Sequence, residues 1–456
     1  MNRDLSSADA ATHLRVTLVA YHYPPDPAVG SLRARNVAQA FAAAGHEVVV
    51  ISVARPEAPK DARDGRVRVL RVVPGLAPRD VLAKLKRTLS RKSAAPLGGR
   101  GDEKQEAKSG AAWKSPDRVS RLRRWVSAIT WLPDDRQGFI LPAAKAAAAI
   151  MRGDGKDLLY TTAPPFSDHL VGLIARRRKR CRWIVEYRDP WTDSSHKPWF
   201  VRTKLTDWIE ERIERRCLLT SDGVVPVSMV FSEVLTRRCG PMLAKKMIVV
   251  RNGIPDVAKP RLADPNRFRI VYAGSFYLRR DPLPFLNALA AIRRCGGPRQ
   301  LDVQLVGDCR FFEGLPLAPE VERLGLSDIV TFVDWLPHDQ SVAMMQSADL
   351  LLLLAQDQPL SIPNKAYEYL GTGKPILAVV DRDGETARVL KEVGGHIVLS
   401  GDDPPDAMQR ALTAALGAPF ADRDSRLSLK TLSQMNNLTA WVERTQIQDS
   451  SPKGTP

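Results

Sequence analysis

Twice along this chain, short β-branched and aliphatic runs alternate with stretches of helical periodicity, and a proline-rich segment separates the two series. That alternation leaves little freedom. Strands joined through a helix run parallel, and a parallel sheet needs cover on both faces. In the first series RVTLVAYHY (15–23) passes through a loop with Pro24, Pro25, Pro27 and Gly30 into an alanine-rich helix, which Gly45 closes ahead of EVVVISV (47–53). DLLYTT (157–162), WIVEY (183–187), GVVPVS (223–228) and MIVV (247–250) continue it, with helices from Phe166 and over 200–220. RNGIPDVAKPRLADPNR (251–267), with three prolines, reads as a linker. FRIVYAG, LDVQLVG, IVTFVD, DLLLLLA, PILAVV and HIVLS form the second series. The expected fold class is α/β, two doubly wound Rossmann-like domains (1–250 and 268–420) facing a central cleft.

At about 100–200 residues per domain, a chain of 456 residues suggests two or three, and the two series favour two. Residues 79–118 are basic and aperiodic and read as a partly disordered insertion. The five cysteines are scattered and never in C-x-x-C spacing, so neither a disulfide framework nor a zinc site is expected, and a reducing compartment fits. The first residues, MNRDLSSADAATHLRV, lack the apolar run of a signal peptide, and no stretch is apolar enough to span a membrane.

The loop YHYPPDPAVGSLRARN enters a helix whose amino end favours an anion, and Gly30 leaves room there for a diphosphate or an acceptor; a plain βα turn is the alternative. In the second series YAGSFYLRRDP (272–282) sets Gly274 at a strand end and Arg279 and Arg280 before a helix, where a planar guanidinium suits a diphosphate unless the pair is simply solvated. Within DQPLSIPNKAYEYLGTGKPILAVV (357–380), Ser361 is placed to N-cap a helix with Pro363 in its first turn, and Lys365 adds charge. Glu368 can accept both hydroxyls of a ribose; the alternative is a surface glutamate making helix pairs. EYRDPWTD puts Arg188 and Asp189 at a strand end, and FSDHL puts Ser167, Asp168 and His169 at a helix start. Asp381-Arg382-Asp383 has the D-x-D spacing of a metal site, but an N-capping aspartate is the simpler account, so neither a metal nor a cofactor is expected.

In order along the chain, YHYPPDPAVGSLRARNVAQAFAAAGHEVVVIS, YTTAPPFSDHLVGLIA, VEYRDPWTDS, VVRNGI, IVYAGSFYLRRDPLPFLNAL and IPNKAYEYLGTGKPILAV resemble family 4 glycosyltransferases, which are retaining and have the GT-B fold. The resemblance covers 14–56 and 130–420, and its IP-x-K-x-x-EYL helix is similar to a subgroup acting in bacterial polysaccharide assembly. It implies that Glu368 binds the ribose of a UDP- or GDP-linked sugar, that Arg280 contacts the diphosphate and that Gly30 lies against the donor phosphates. It also implies that a terminal helix (421–447) returns to the first domain, ahead of a disordered tail (448–456). Ser361 and Ser275 stand where the family usually has an acid and an arginine. Retaining transfer in this fold has no agreed protein nucleophile. Asp189 is therefore expected to orient the acceptor or act as a weak base, and His169 to assist it or merely to bond at the helix start.

The net charge of +17 calls for nucleic acid, an anionic membrane face or phosphorylated substrates as a partner. DRVSRLRRWVSAITWL (117–132) sets Leu122, Trp125, Val126, Ile129 and Leu132 on one stripe with arginines around it, which reads as an anionic membrane surface or as a core helix with a solvated basic face. Runs at 84–87, 91–92 and 176–180 add charge. Nucleic acid is disfavoured, because no recognised module appears and aromatics are only 6%. The reading is a transferase acting on a lipid-linked or saccharide acceptor, cytoplasmic and peripheral at the inner face of the plasma membrane. A nucleotide-sugar epimerase of the same fold and a non-catalytic binding subunit are the rivals.

Overall fold

The computed structural model describes residues 13–78, 80, 128, 130–193, 202–256, 267–276, 280–296, 300–417 and 429–450. The chain forms two compact units: Met1–Val227, Phe231–Val250 and Met435–Pro456 make the first, Ser228–Val230 and Arg251–Gln434 the second.

The first unit is built on seven strands, β1 (Arg15–Val19), β2 (Glu47–Val53), β3 (Asp61–Asp64), β4 (Val67–Val72), β5 (Asp157–Ala163), β6 (Arg182–Tyr187) and β7 (Gly223–Pro226), in the order β3-β4-β2-β1-β5-β6-β7. Every pairing is parallel except β3 with β4. That edge hairpin escapes the sequence pattern because three of the four residues of DARD are charged. Its turn rests on Gly65 at φ 61°, and Asp61 and Asp64 pair with Arg68 and Arg35, charges that suit an exposed edge. MIVV, expected as a strand, runs beside β7 with Ile248 donating to the Val224 carbonyl and Val250 to that of Pro226, each at 3.1 Å, around a bridge from Met247 to Val224.

The helix Val29–Ala43 ends before Gly45, which takes φ 88°. It lays Val37, Ala38 and Phe41 on Leu18, Val50 and Tyr160 of the sheet, and Met435, Leu438 and Val442 of the C-terminal helix join the same core. That helix runs Thr431–Ser450, ten residues later than the expected start at 421; residues 421–428 lie outside the described residues. It also continues through Gln448, Asp449 and Ser450, which had read as tail. Arg182 donates to its Val442 carbonyl at 2.7 Å.

Beneath β6, Glu214 of the helix Lys204–Thr220 is buried with a side chain 1% exposed, accepting from Thr192 Oγ1 at 2.6 Å and Arg238 Nη1 at 2.7 Å. Burial, opposed by Arg238, pushes its carboxyl up to about 7 from an ordinary 4.5. A folded-state pKa raised in this way contributes stability that is complete below the unfolded value and is lost as pH climbs through the folded one. Wild type should therefore lose about 3 kcal/mol relative to Glu214→Gln between pH 4.5 and 8. Parallel pH profiles from urea denaturation would refute this.

The second unit carries β8 (Arg267–Ser275), β9 (Gln300–Asp308), a small hairpin β10 (Phe311–Phe312) and β11 (Leu315–Pro316), then β12 (Val330–Val333), β13 (Leu350–Ala355), β14 (Ile376–Val380) and β15 (Ile397–Leu399). Six of them form a parallel sheet ordered β12-β9-β8-β13-β14-β15. Strand order reverses between β8 and β13 here, and between β1 and β5 in the first sheet. Open α/β sheets hold ligands at such reversals, beyond the strands' carboxyl ends.

Candidate active site

At the reversal in the second sheet, β8 and β13 pair only through Ile270↔Leu350 and Val271↔Leu351 before they part. The freed Ala273 amide donates to the Tyr369 hydroxyl at 2.7 Å, which pins the helix Asn364–Thr372 to the end of β8. Tyr369 is thus the anchor that sequence reasoning missed; its position next to Glu368 in EYL was the available signal. Glu368 is half-buried, and its carboxylate meets Lys365 Nζ at 2.9 Å. Gly274, the next residue along β8, registers with Gly307 of β9. Gly307 has φ 107°, and a Cβ there would overlap the Gly274 carbonyl oxygen, so Gly307 serves close backbone approach.

Arg280 is half-buried ahead of the helix Leu283–Arg294; Arg279 lies outside the described residues. Two local readings need correction. Ser361 does not N-cap: the cap position is Pro363, without any side-chain bond, and the Ser361 carbonyl instead accepts from Thr386 Oγ1 at 3.3 Å. Asp381 is not a helix cap either, since the next helix starts at Glu385 after Gly384. Its carboxylate accepts the amides of Asp357 (3.2 Å) and Gln358 (2.7 Å) and so shapes the loop leading to Ser361.

In the first unit the room that Gly30 leaves is already filled. A Cβ there would overlap the Arg188 guanidinium, which packs against Gly30 and donates to the carbonyls of Ala163 (3.3 Å) and Pro164. Arg188 and Asp189 follow β6 directly, and Asp189 is exposed. Asp168 and His169 begin the helix Ser167–Arg178, both fully buried. Asp168 accepts the Tyr21 amide at 2.9 Å and so ties the β5 side of the reversal to the β1 side; burial raises its carboxyl well above the ordinary range.

His169 Nδ1 lies 2.9 Å from Thr161 Oγ1, which also accepts from Trp183 Nε1 at 3.1 Å. Burial, with Arg188 adding to it, lowers His169 to about 3. This ring is neutral, enclosed and tilted against Tyr187 with ring centres 4.6 Å apart, a brace rather than an exposed acid or base.

The same edge carries a pair that sequence reasoning passed over, His22 Nδ1 and Asp26 Oδ2 at 2.6 Å, with Arg55 on the same carboxylate oxygen. Its two members lie four residues apart around the prolines, a spacing with no periodic signature.

Residues 30–253 match the family model of the glycosyl transferase 4-like domain. Those residues form a glycosyl transferase 4-like domain, and the chain is a glycosyltransferase. Its fold is GT-B: it is similar over 96% of its length to 97% of sucrose-phosphate synthase from Thermosynechococcus elongatus (TM-score 0.56, 17% identity). It is similar over 97% to all of α,α-trehalose 6-phosphate synthase from Burkholderia multivorans (100% covered, TM-score 0.58, 13% identity). A third likeness, over 96%, is to 98% of Anabaena HepE in complex with UDP-glucose (TM-score 0.52, 14% identity). At such identities each likeness speaks for the glycosyltransferase's fold alone. No curated protein matches its sequence.

Proposed function

We propose that this glycosyltransferase is retaining, takes a UDP- or GDP-linked sugar, and passes the sugar to a lipid-linked or saccharide acceptor at the cytoplasmic membrane face without a metal. The observation that carries the donor half is the Tyr369 bond. It ties the helix bearing Lys365 and Glu368 to the residue before Gly274, at the strand reversal where such sheets hold ligands. That helix opens on amides without a side-chain cap, a favourable seat for a diphosphate, and Arg280 stands at the neighbouring helix start. Glu368 then receives the ribose hydroxyls. HepE was crystallised with UDP-glucose, which makes UDP the first nucleotide to try. On the acceptor side we assign orientation of the attacking group to the exposed Asp189.

Support for a membrane surface comes from the first unit. The helix Lys204–Thr220 turns Leu205, Trp208 and Leu219 to solvent, with the Arg212 guanidinium 4.1 Å from the Trp208 ring centre. Arg177, Arg178, Lys179 and Arg180 are exposed at the end of a neighbouring helix. Most of the amphipathic stretch 117–132 and nearly all of the insertion 79–118 lie outside the described residues. Among the described residues no helix is long and apolar enough to cross a membrane.

Glu368→Ala tests the donor site. Losing charged hydrogen bonds worth about 1.5–3 kcal/mol should weaken UDP or GDP binding about 10- to 100-fold in calorimetry. The melting curve should stay put, since the partner given up within the protein is the part-exposed Lys365. Undiminished affinity would remove Glu368 from the site. Anomeric NMR of the product decides retention.

A further inference from the structure

We propose that the segments gathered at the amino ends of β6 and β7 form an electrostatic anchor for an anionic phospholipid surface. The proposal rests on the membrane reading above and deepens it, by naming the face of the first unit that meets the headgroups.

A parallel sheet sends each connection from the carboxyl end of one strand back to the amino end of the next. Three segments therefore meet at the amino ends of β6 and β7. They are the end of the helix Ser167–Arg178, the end of the helix Lys204–Thr220, and the short helix Pro241–Ala244 with Lys245 and Lys246 behind it. Hydrogen bonds hold them together. Arg176 donates to the Thr220 carbonyl and meets Asp222 at 3.2 Å, while Lys246 Nζ donates to the carbonyls of Leu219 (3.1 Å) and Ser221 (2.5 Å).

Arg177, Arg178, Lys179 and Arg180 are exposed on the first segment, Arg216 on the second and Lys245 on the third. Among the described residues none of these six side chains meets a carboxylate. Other exposed arginines of this chain behave differently: Arg35, Arg68, Arg293, Arg323 and Arg410 each pair with an aspartate or glutamate. Unpaired cations crowded on one face repel one another, and an anionic surface turns that repulsion into attraction. The helix dipole accounts for basic residues within the last turn of Ser167–Arg178. It does not account for Lys179 and Arg180, which lie beyond that turn.

Leu219 and Met242, on two of the same segments, are exposed at 47% and 68%. Apolar side chains among unpaired cations suit a lipid interface, where the cations meet phosphate and the side chains enter the headgroup layer. A nucleic acid would use the cations and leave Leu219 and Met242 in water. The face also stands at the opposite end of the first sheet from the strand ends at the β1–β5 reversal, so headgroup binding leaves that edge open to an acceptor.

The test is flotation of the full chain with vesicles of phosphatidylglycerol and phosphatidylcholine, for wild type and for the triple variant Arg177→Glu, Lys179→Glu, Arg180→Glu. Wild type should float with the mixed vesicles at about 0.1 M salt and stay behind with pure phosphatidylcholine. It should be released near about 1 M salt, where the screening length falls to about 3 Å. The triple variant should bind about 100-fold more weakly, the loss expected for three cations near an anionic leaflet. Leu219→Ser with Met242→Ser should bind about tenfold more weakly, through lost apolar area alone. Equal binding by wild type and triple variant overturns the anchor and leaves the membrane reading to the other basic segments. A wild-type chain that ignores anionic vesicles overturns both. Tighter binding to duplex DNA than to vesicles, lost in the triple variant, assigns the face to nucleic acid and overturns the anchor as well.

Discussion

Arg33→Met should destabilise the first unit by about 3–5 kcal/mol, because it strands a buried carboxylate. Glu186 is fully buried in β6 and receives Arg33 Nε at 3.1 Å and Nη2 at 2.7 Å, Tyr160 OH at 2.9 Å and Thr162 Oγ1 at 2.5 Å. Burial alone would raise its pKa, yet the Arg33 charge and the bonds from Thr162 and Arg33 leave it lowered. Arg33 Nη2 also donates to the Val250 carbonyl at 2.9 Å, so the guanidinium links the first helix, β6 and the end of the unit's main stretch. Urea denaturation at pH 7 measures the loss. Replacing both partners by apolar residues of similar volume should recover much of it, since the penalty lies in the unpaired charge. A loss below 1 kcal/mol for the single variant would show that water or another cation reaches Glu186.

Gly307→Ala should cost the second unit roughly 2–6 kcal/mol and weaken UDP binding at least tenfold. Two penalties combine: a left-handed backbone that a Cβ strains, at about 1–3 kcal/mol, and an overlap with the Gly274 carbonyl, at about 1–3 kcal/mol. The obstacle is backbone, so relief requires β8 and β9 to shift where they run in register through Gly274↔Gly307 and Ser275↔Asp308. That shift would displace the Gly274 edge of the donor site, which is why stability and affinity should fall together. Chemical denaturation and calorimetry on the same preparation check both. A variant as stable as wild type would mean that the strand ends are loose enough to absorb the methyl group.

These two residues mark how far the sequence could be read. Arg33 stands in the loop motif GSLRARN, and Gly307 ends a β-branched run, so both were visible as parts of a pattern. Neither pattern said what they touch. The loop after β1 was legible as a turn, but Gly30 read as an opening because Arg188, the group that fills it, lies far along the chain. Ser361 and Asp381 misled for a related reason. A hydroxyl or carboxylate a few residues ahead of a helix is the local signature of a cap, and competing partners in the 356–361 loop are invisible without the fold.

What the sequence determined by itself was the class of architecture: helices alternating with strands, mainly parallel sheets, a break near the linker, and the EYL helix after a buried strand. Periodicity and the length of a crossover suffice for that, since they depend on neighbours in the chain. Only the tertiary structure decided the partners. It enclosed His169 and left His22 at the surface, although both are histidines near strand ends. Burial, and the charges of Arg136, Arg188 and Asp26 gathered from separate loops, determine what each imidazole can do. Those fields come from residues distant in sequence and close in space.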